Sequence, residues 1–246
     1  NGSVMLQNTS AKKYTYALKT MADFKAKIIE NTFSGLLLNV EGNEVWTKLI
    51  GSFNAYNLVA VYAVSSLLNI DKIEALTELS RLENVSGRFE YFISEEGITA
   101  IVDYAHTPDA LKNVLETINN IRTGNEQVIT VVGCGGDRDK AKRPVMGRIA
   151  ALLSSQVIFT SDNPRSEDPQ VILNEVEAGV EPQDFRKVLS ILDRAQAIKT
   201  ASKLAQKGDI ILIAGKGHET YQEINGERSH FDDYEQIKEQ LKPVES

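Results

Sequence analysis

The chain is poor in the residues that staple, ligate or anchor. It has one cysteine, Cys134, in 246 residues, which excludes an internal disulfide and fits a reducing compartment, so a cytoplasmic protein is expected. Its three histidines, at 106, 218 and 230, show no ligand-type spacing, which argues against a structural zinc site. No apolar run reaches membrane-spanning length and no signal peptide opens the chain, so no membrane association is expected. A net charge of −7 leaves no basic face that would call for a nucleic-acid partner. Tandem repeats and low-complexity segments are absent. So is an initiating Met. "NGSVMLQNTS" reads as the middle of a protein, and the sequence is expected to be an excised piece rather than a natural truncation.

What remains is ordinary globular material, 42% hydrophobic and 25% charged, enough for one large domain or two modest ones. Residues 1–86 open with short alternating runs, "SVMLQNT", "KYTYALK", "AKIIE" and "SGLLLNV", read as strands of a mainly antiparallel sheet. A helix over "NAYNLVAVYAVSSLLN" follows, with apolar residues at 58, 59, 61, 62, 64, 67 and 68. A second helix over "DKIEALTELSRL" has Asp71 as its N-cap. A boundary falls near "NVSGRFEYF". From 87 to 246 strands and helices alternate. "ITAIVDY", "QVITVVG", "QVIFTS", "KVLSIL" and "DIILIAG" are strands, and helices follow each, the first capped by Thr107 with Pro108 at its first position. β-branched runs between helices indicate βαβ units. The expected class is therefore α/β: a partial sheet-and-helix domain, then a Rossmann-like, mostly parallel sheet covered on both faces.

Four of the five parallel-type strands end in polar clusters: "VDYAHTPD" with Asp103, His106 and Asp109; "VGCGGDRDKAKRP" with Asp137, Arg138, Lys140, Lys142 and Arg143; "TSDNPRSED"; and "AGKGHETY" with Lys216, His218 and Glu219. Ligands of open α/β sheets bind outside the carboxyl ends of the strands, so the four clusters predict one shared crevice. Taken singly, "DYAHTPD" reads equally well as a turn with an N-cap. "GCGGDRD" reads either as a flexible turn or as an anion site, in which Gly133, Gly135 and Gly136 admit close backbone approach and four cations follow. "AGKGHE" lacks the spacing and the Ser/Thr of a phosphate loop. "GERSH", 226–230, is read as a hairpin turn with a solvated tip, and Cys134 as a packing residue, since no base neighbours it in sequence.

"DNPR" carries more specific chemistry. Arg165 presents a planar fork of donors suited to a carboxylate, and Pro164 stiffens the loop that holds it. Asp162 and Glu219 are acceptors for an ammonium, and Asn163 offers both a donor and an acceptor. Together they suit the zwitterionic end of an amino acid, and Arg138, on the neighbouring strand end, suits a second carboxylate.

In order, "GSFNAYN", "SGRFE", "VDYAHTPDAL", "GCGGDRDKAKRPVMG", "TSDNPRSEDP" and "AGKGHETYQ" resemble the successive blocks of the Mur ligases, over residues 50–231. Within that family "DNPR" resembles the motif of the members that add meso-diaminopimelate; lysine-adding members carry another residue where Arg165 stands. The resemblance implies that residues 1–86 are the end of a central ATP-binding domain and 87–246 the amino-acid-binding C-terminal domain. It implies that Asp162, Asn163, Pro164 and Arg165, with Arg138, Gly215 and Glu219, hold meso-diaminopimelate. A buried guanidinium left without its carboxylate would penalise lysine. It also implies that Asn54 and Asn57 hold adenine, that Asp103 takes the ribose, and that Arg88 and His106 lie towards the nucleotide and its phosphates. The implied reaction uses ATP and Mg2+ to join meso-diaminopimelate to a UDP-N-acetylmuramoyl dipeptide through an acyl phosphate and a tetrahedral intermediate, in a cytoplasmic monomer.

The family's Gly-x-x-Gly-Lys-Thr loop, its uridine-nucleotide domain and the central lysine that it carbamoylates to hold magnesium do not occur in the 246 residues. They are expected before Asn1. The piece alone is therefore expected to be inactive, with catalytic residues unassigned and no metal ligand of its own. Two other readings stay open. A folylpolyglutamate or cyanophycin-type ligase shares "GCGGDRDK" but fits "DNPRSEDP" and "GKGHE" poorly. A non-catalytic amino-acid-binding module would have no use for "FNAYN" and "DYAH". A generic α/β domain would leave the four strand ends unexplained.

Overall fold

A computed structural model describes residues 6–244. The chain separates into two compact units, residues 1–83 and 84–246.

In the first unit β1 (Tyr16–Ala17), β2 (Phe24–Thr32), β3 (Gly35–Val40) and β4 (Asn43–Thr47) form one sheet in that order. β1 lies parallel to β2, and the other pairs are antiparallel. Glu41 and Gly42, at φ 49° and 88°, make the tight β3–β4 reversal, where two successive left-handed residues match the strand twist. Helix α1 (Ser52–Leu67) presents Ala55, Leu58, Val59 and Tyr62 at helical spacing to Leu36, Leu38 and Val40 of β3. Helix α2 (Lys72–Ser80) adds Ala75, Leu76 and Leu79. Asp71 caps it, its carboxylate accepting from the N–H groups of Ile73 and Glu74 at 2.9 and 3.0 Å.

Two expectations for this unit need correction. The strand read over "SVMLQNT" lies partly outside the described residues, and Leu6–Asn8 form a turn. Of the apolar positions on α1, Val61, Val64, Leu67 and Leu68 are exposed; only 58, 59 and 62 share the 100° arc that faces the sheet. β4 was not anticipated.

The second unit holds six strands, β5 (Glu90–Ile93), β6 (Thr99–Asp103), β7 (Val128–Val132), β8 (Gln156–Phe159), β9 (Val188–Ser190) and β10 (Ile210–Ala214), in the order β5-β6-β10-β7-β8-β9. All pairs are parallel except β5 with β6. Every residue of β6, β7 and β10 is buried, as a parallel sheet sheathed on both faces requires. One phase of the pleat, including Val102, Ile129, Val131, Ile211 and Ile213, packs on α6 (Arg194–Leu204) and α7 (Asp233–Gln240) through Ala197, Ile198, Ala201 and Ile237. On the opposite face lie α3 (Pro108–Ile121), α4 (Lys142–Leu153) and α5 (Pro169–Glu177), each against the next.

Right-handed crossovers explain this distribution. The chain steps outward from β6 to β7, β8 and β9 through α3, α4 and α5. It then returns over the other face through α6 and inserts β10 between β6 and β7. The parallel registers place Asp103, Ala214, Val132 and Phe159 in one row, so four loops leave the sheet at the same height. The expected helices and five parallel strands are present. The antiparallel edge β5, within "FEYFI", and a short 3-10 helix over Pro182–Lys187 were not foreseen. A hairpin does occupy the "GERSH" region, but its tip is Asn225–Gly226, at φ 51° and 80°. Glu227–His230 is its second strand, β12, paired with β11 (Tyr221–Ile224).

Candidate active site at the carboxyl edge of the parallel sheet

The four loops enclose an open cavity of about 640 Å³ in the second unit. His106, Gly135, Arg138, Asp162, Asn163, Arg165, Gly215 and Glu219 all line it, so seven of the residues singled out from sequence converge, with Gly135 of the glycine run. Among the lining residues that escaped assignment to the ligand are Tyr104 and Tyr221, and Lys142, which had been noted only as one of a run of cations.

The β8 loop is built as a rigid floor. Asp162 and Asn163 are buried. The Asn163 amide is largely spent within the protein: Oδ1 accepts from Lys216 Nζ at 3.1 Å and from the Glu223 N–H at 3.0 Å, and Nδ2 donates to Glu219 Oε2 at 2.7 Å. Arg165 has a left-handed backbone, φ 51°, a costly conformation for a residue with a Cβ. The hairpin holds it there. The Arg165 N–H donates to Glu223 O at 3.0 Å, and Asn225 N–H donates to Arg165 O at 2.7 Å. One guanidinium nitrogen donates to Gly136 O at 2.8 Å and lies 3.5 Å from Asn163 O, and the residue lines the cavity. Pro164 does not line the cavity. Its carbonyl lies against Gly136, where a Cβ would collide with it, so Pro164 locks the β7 and β8 loops together.

The β7 loop corrects the reading of four available cations. Arg143 is fully buried and forked onto Glu167 at 2.8 and 3.0 Å, with Glu175 at 2.6 Å. Lys140 also pairs with Glu167, at 3.0 Å. These bonds, with Arg143 first and then the Asp137 N–H, hold the Glu167 carboxyl at about 2. Arg143 is therefore structural, because a buried guanidinium needs its partners inside, whereas Lys140, with its side chain 62% exposed, makes a surface ion pair. Only Arg138 and Lys142 reach the cavity, and Lys142 Nζ donates to His106 O at 2.8 Å.

Asp103 also lies outside the cavity lining. It is buried and accepts from the Phe89 N–H at 2.7 Å, and burial raises its carboxyl above the ordinary value. Beside it Tyr104 is ringed by Arg88 at 4.5 Å, His106 at 4.6 Å and His218 at 5.1 Å. Burial, then the charge of Glu219, pushes the Tyr104 phenol up. Gly215, at φ 121°, lets the β10 loop pass Asp162, whose Oδ2 would lie 2.7 Å from an added Cβ. In the first unit Asn54 and Asn57 meet on the first turns of α1, Nδ2 of Asn57 donating to Oδ1 of Asn54 at 3.4 Å, while Asn54 donates to Ile50 O at 2.8 Å.

The cavity thus sets Arg138, Lys142 and Arg165 against Asp162 and Glu219, charges of both signs within one crevice. Such a surface grips a ligand that carries carboxylates and an ammonium together. Cys134 offers no nucleophile. Its buried thiol is pushed up to about 12 and lies 3.7 Å from the Met146 sulfur. A disulfide reagent at pH 8 is expected to leave Cys134 untouched in the folded protein and to titrate it fully in denaturant; fast labelling of the native state would contradict its burial. Among the described residues no three His, Cys, Asp or Glu side chains converge to hold a metal.

Fold and site together define an α/β domain with a crevice lined by charges of both signs at the carboxyl ends of its parallel strands. The model of the Mur ligase glutamate ligase domain matches residues 87–217, and the chain belongs to the Mur ligase family. It is 61% identical over 240 residues to the UDP-N-acetylmuramoyl-L-alanyl-D-glutamate–2,6-diaminopimelate ligase of Cytophaga hutchinsonii, covering 98% of this chain and 49% of that protein. The corresponding ligase of Parabacteroides distasonis is 57% identical, covering 97% and 49%. A solved structure of a ligase with the same description superposes with a TM-score of 0.66 at 38% identity, over 92% of this chain and 47% of that one. The chain spans about half the length of the curated relatives it matches.

Proposed function

We propose that this chain is the amino-acid-selecting part of an ATP-dependent ligase that joins meso-diaminopimelate to UDP-N-acetylmuramoyl-L-alanyl-D-glutamate in peptidoglycan synthesis. The observation that carries the reading is the convergence of Arg138 and Arg165 with Asp162 and Glu219 in one cavity of about 640 Å³. A ligand with an amino-acid group at each end satisfies guanidinium and carboxylate walls at once, and lysine leaves one guanidinium unpaired. The similarity to diaminopimelate ligases supports the same substrate.

In this reaction the dipeptide's terminal carboxylate takes the γ-phosphoryl group of ATP, releasing ADP and leaving an acyl phosphate. The amine of meso-diaminopimelate attacks that carbonyl, the tetrahedral intermediate expels phosphate, and the amine loses its proton as the amide forms. The part of the present residues is orientation. Asp162, Asn163, Arg165, Arg138, Gly215 and Glu219 fix the distal end of the amino acid so that its other amine reaches the acyl carbon. Asn54 and Asn57 are assigned to adenine, Asp103 to the ribose, and Arg88 and His106 to the nucleotide side. On this reading residues 1–86 end the central ATP-binding domain and 87–246 form the amino-acid domain of a cytoplasmic monomer. Magnesium would be held by the remainder of the enzyme.

The test supplies the full-length protein with UDP-N-acetylmuramoyl-L-alanyl-D-glutamate, ATP and magnesium and follows phosphate release. Release with meso-diaminopimelate but not with L-lysine is expected. Release with lysine would keep the ligase and overturn the assigned selectivity; no release with either would overturn the ligase.

A further inference from the structure

Lys216 stands at the centre of the site yet never touches the cavity. It follows Gly215 at the end of β10, and its side chain is fully buried. A buried ammonium must be paired, and every partner here belongs to the recognition machinery. Nζ donates to Asn163 Oδ1 at 3.1 Å, to the carbonyl oxygen of Tyr221, and towards Glu219 Oε2 at 3.5 Å, with the Tyr221 ring 5.4 Å away. Asn163 and Glu219 are joined to each other at 2.7 Å, so three side chains form a closed triangle.

We propose that Lys216 is a positioning residue for amino-acid selection, which ties the Asp162–Arg165 loop, Glu219 and the β11–β12 hairpin into one preset receptor. The inference rests on reading the cavity as the meso-diaminopimelate site. An ammonium has three donors and no acceptor, so only an oxygen can face it. Lys216, together with the Glu223 N–H, therefore sets which way the Asn163 amide points: Oδ1 inward to Nζ, Nδ2 towards Glu219. It also supplies the opposite charge that keeps the half-buried Glu219 carboxylate in place as an acceptor for the ligand. By holding Tyr221 O it anchors the start of the hairpin whose Glu223 and Asn225 maintain the left-handed backbone of Arg165. Gln222 strengthens the same seam, its amide donating to Asp162 O at 2.7 Å. Removing Nζ takes one of two donors from Asn163 Oδ1, leaves Glu219 without its cation and loosens the hairpin together with the guanidinium it aims.

The experiment compares wild-type, Lys216→Met and Lys216→Arg forms of the full-length enzyme by steady-state kinetics, with thermal unfolding as a control for folding. Lys216→Met is expected to raise the KM for meso-diaminopimelate about tenfold or more, while the KM for ATP and kcat stay within about threefold. A residue that only supported the fold would not separate the two substrates. Equal rises in both KM values, or a fall in kcat at unchanged KM, would overturn the proposal. If Lys216→Met does not fold, Lys216→Arg decides. It keeps the charge but cannot place one atom among three oxygens, so the same split is expected in weaker form, and a wild-type KM would overturn the proposal. Wild-type enzyme that releases no phosphate with meso-diaminopimelate would instead sink the functional reading on which the proposal rests.

Discussion

Replacing Arg165 by alanine in the full-length enzyme is expected to raise the KM for meso-diaminopimelate about 100-fold, equivalent to ~2.7 kcal/mol, with the KM for ATP little changed. The magnitude follows from what is left behind. The guanidinium lines the cavity, and one of its nitrogens is already bound to Gly136 O at 2.8 Å, so the fork is oriented before the ligand arrives. Its loss strands the ligand's carboxylate in a partly enclosed site, where an unpaired charge costs far more than it would in water. Lysine at the same position restores the charge without the fork and should recover only part of the loss. Steady-state kinetics with each substrate varied in turn checks this. Equal effects on both KM values would show that Arg165 supports the loop and does not read the ligand.

The largest effect on stability is expected at Arg194. Its guanidinium is buried against Asp233 on both sides, Nε to Oδ1 and an NH2 nitrogen to Oδ2, each at 2.7 Å. It also donates to Ala214 O at 3.1 Å and to Ser161 O at 3.4 Å, the carbonyls just before Gly215 and Asp162. Arg194→Met leaves Asp233 charged and alone inside the fold, which costs about 3–5 kcal/mol. For a protein of this size that lowers Tm by on the order of 10 °C. Replacing Arg194 and Asp233 together by apolar residues of similar volume should return most of the stability, because no lone buried charge remains. Differential scanning calorimetry of the full-length protein decides; an unchanged Tm in the single variant would mean that water reaches the pair.

The parts of the fold that were legible in the sequence are those that local physics dictates. Uniformly apolar β-branched runs such as "ITAIVDY" and "DIILIAG" have no stable place except in a doubly covered parallel sheet. Asp71, Thr107 and Pro108 mark helix starts because the orphan N–H groups of a first turn need an acceptor or a missing donor. The antiparallel edge β5 was missed because "FEYFI" is short and one side of it is exposed, so its pattern differs little from that of a loop. The apolar residues on both sides of α1 likewise could not say which side the sheet would cover.

The site was legible as a set of clusters, since ligands of open α/β sheets bind outside the carboxyl ends of the strands, where these polar residues gather. Their division of labour was not. "DRDKAKR" places four cations between positions 138 and 143, and nothing local distinguishes Arg143, consumed by Glu167 and Glu175, from Arg138, which lines the cavity. Lys216 was only one member of the "AGKGHETY" cluster in the sequence, yet its side chain is fully buried and bonded to Asn163. By itself, then, the sequence determined the five parallel strands, the α-helices, the caps Asp71 and Thr107 and which four loops carry the polar clusters, because these depend on residues near one another along the chain. Only the tertiary structure decided which charges face ligand and which face each other. The insertion of β10 between β6 and β7 brings Gly215, Lys216 and Glu219 beside Asn163, and a pairing between residues more than 50 positions apart is set by sheet order and register, not by any neighbour in sequence.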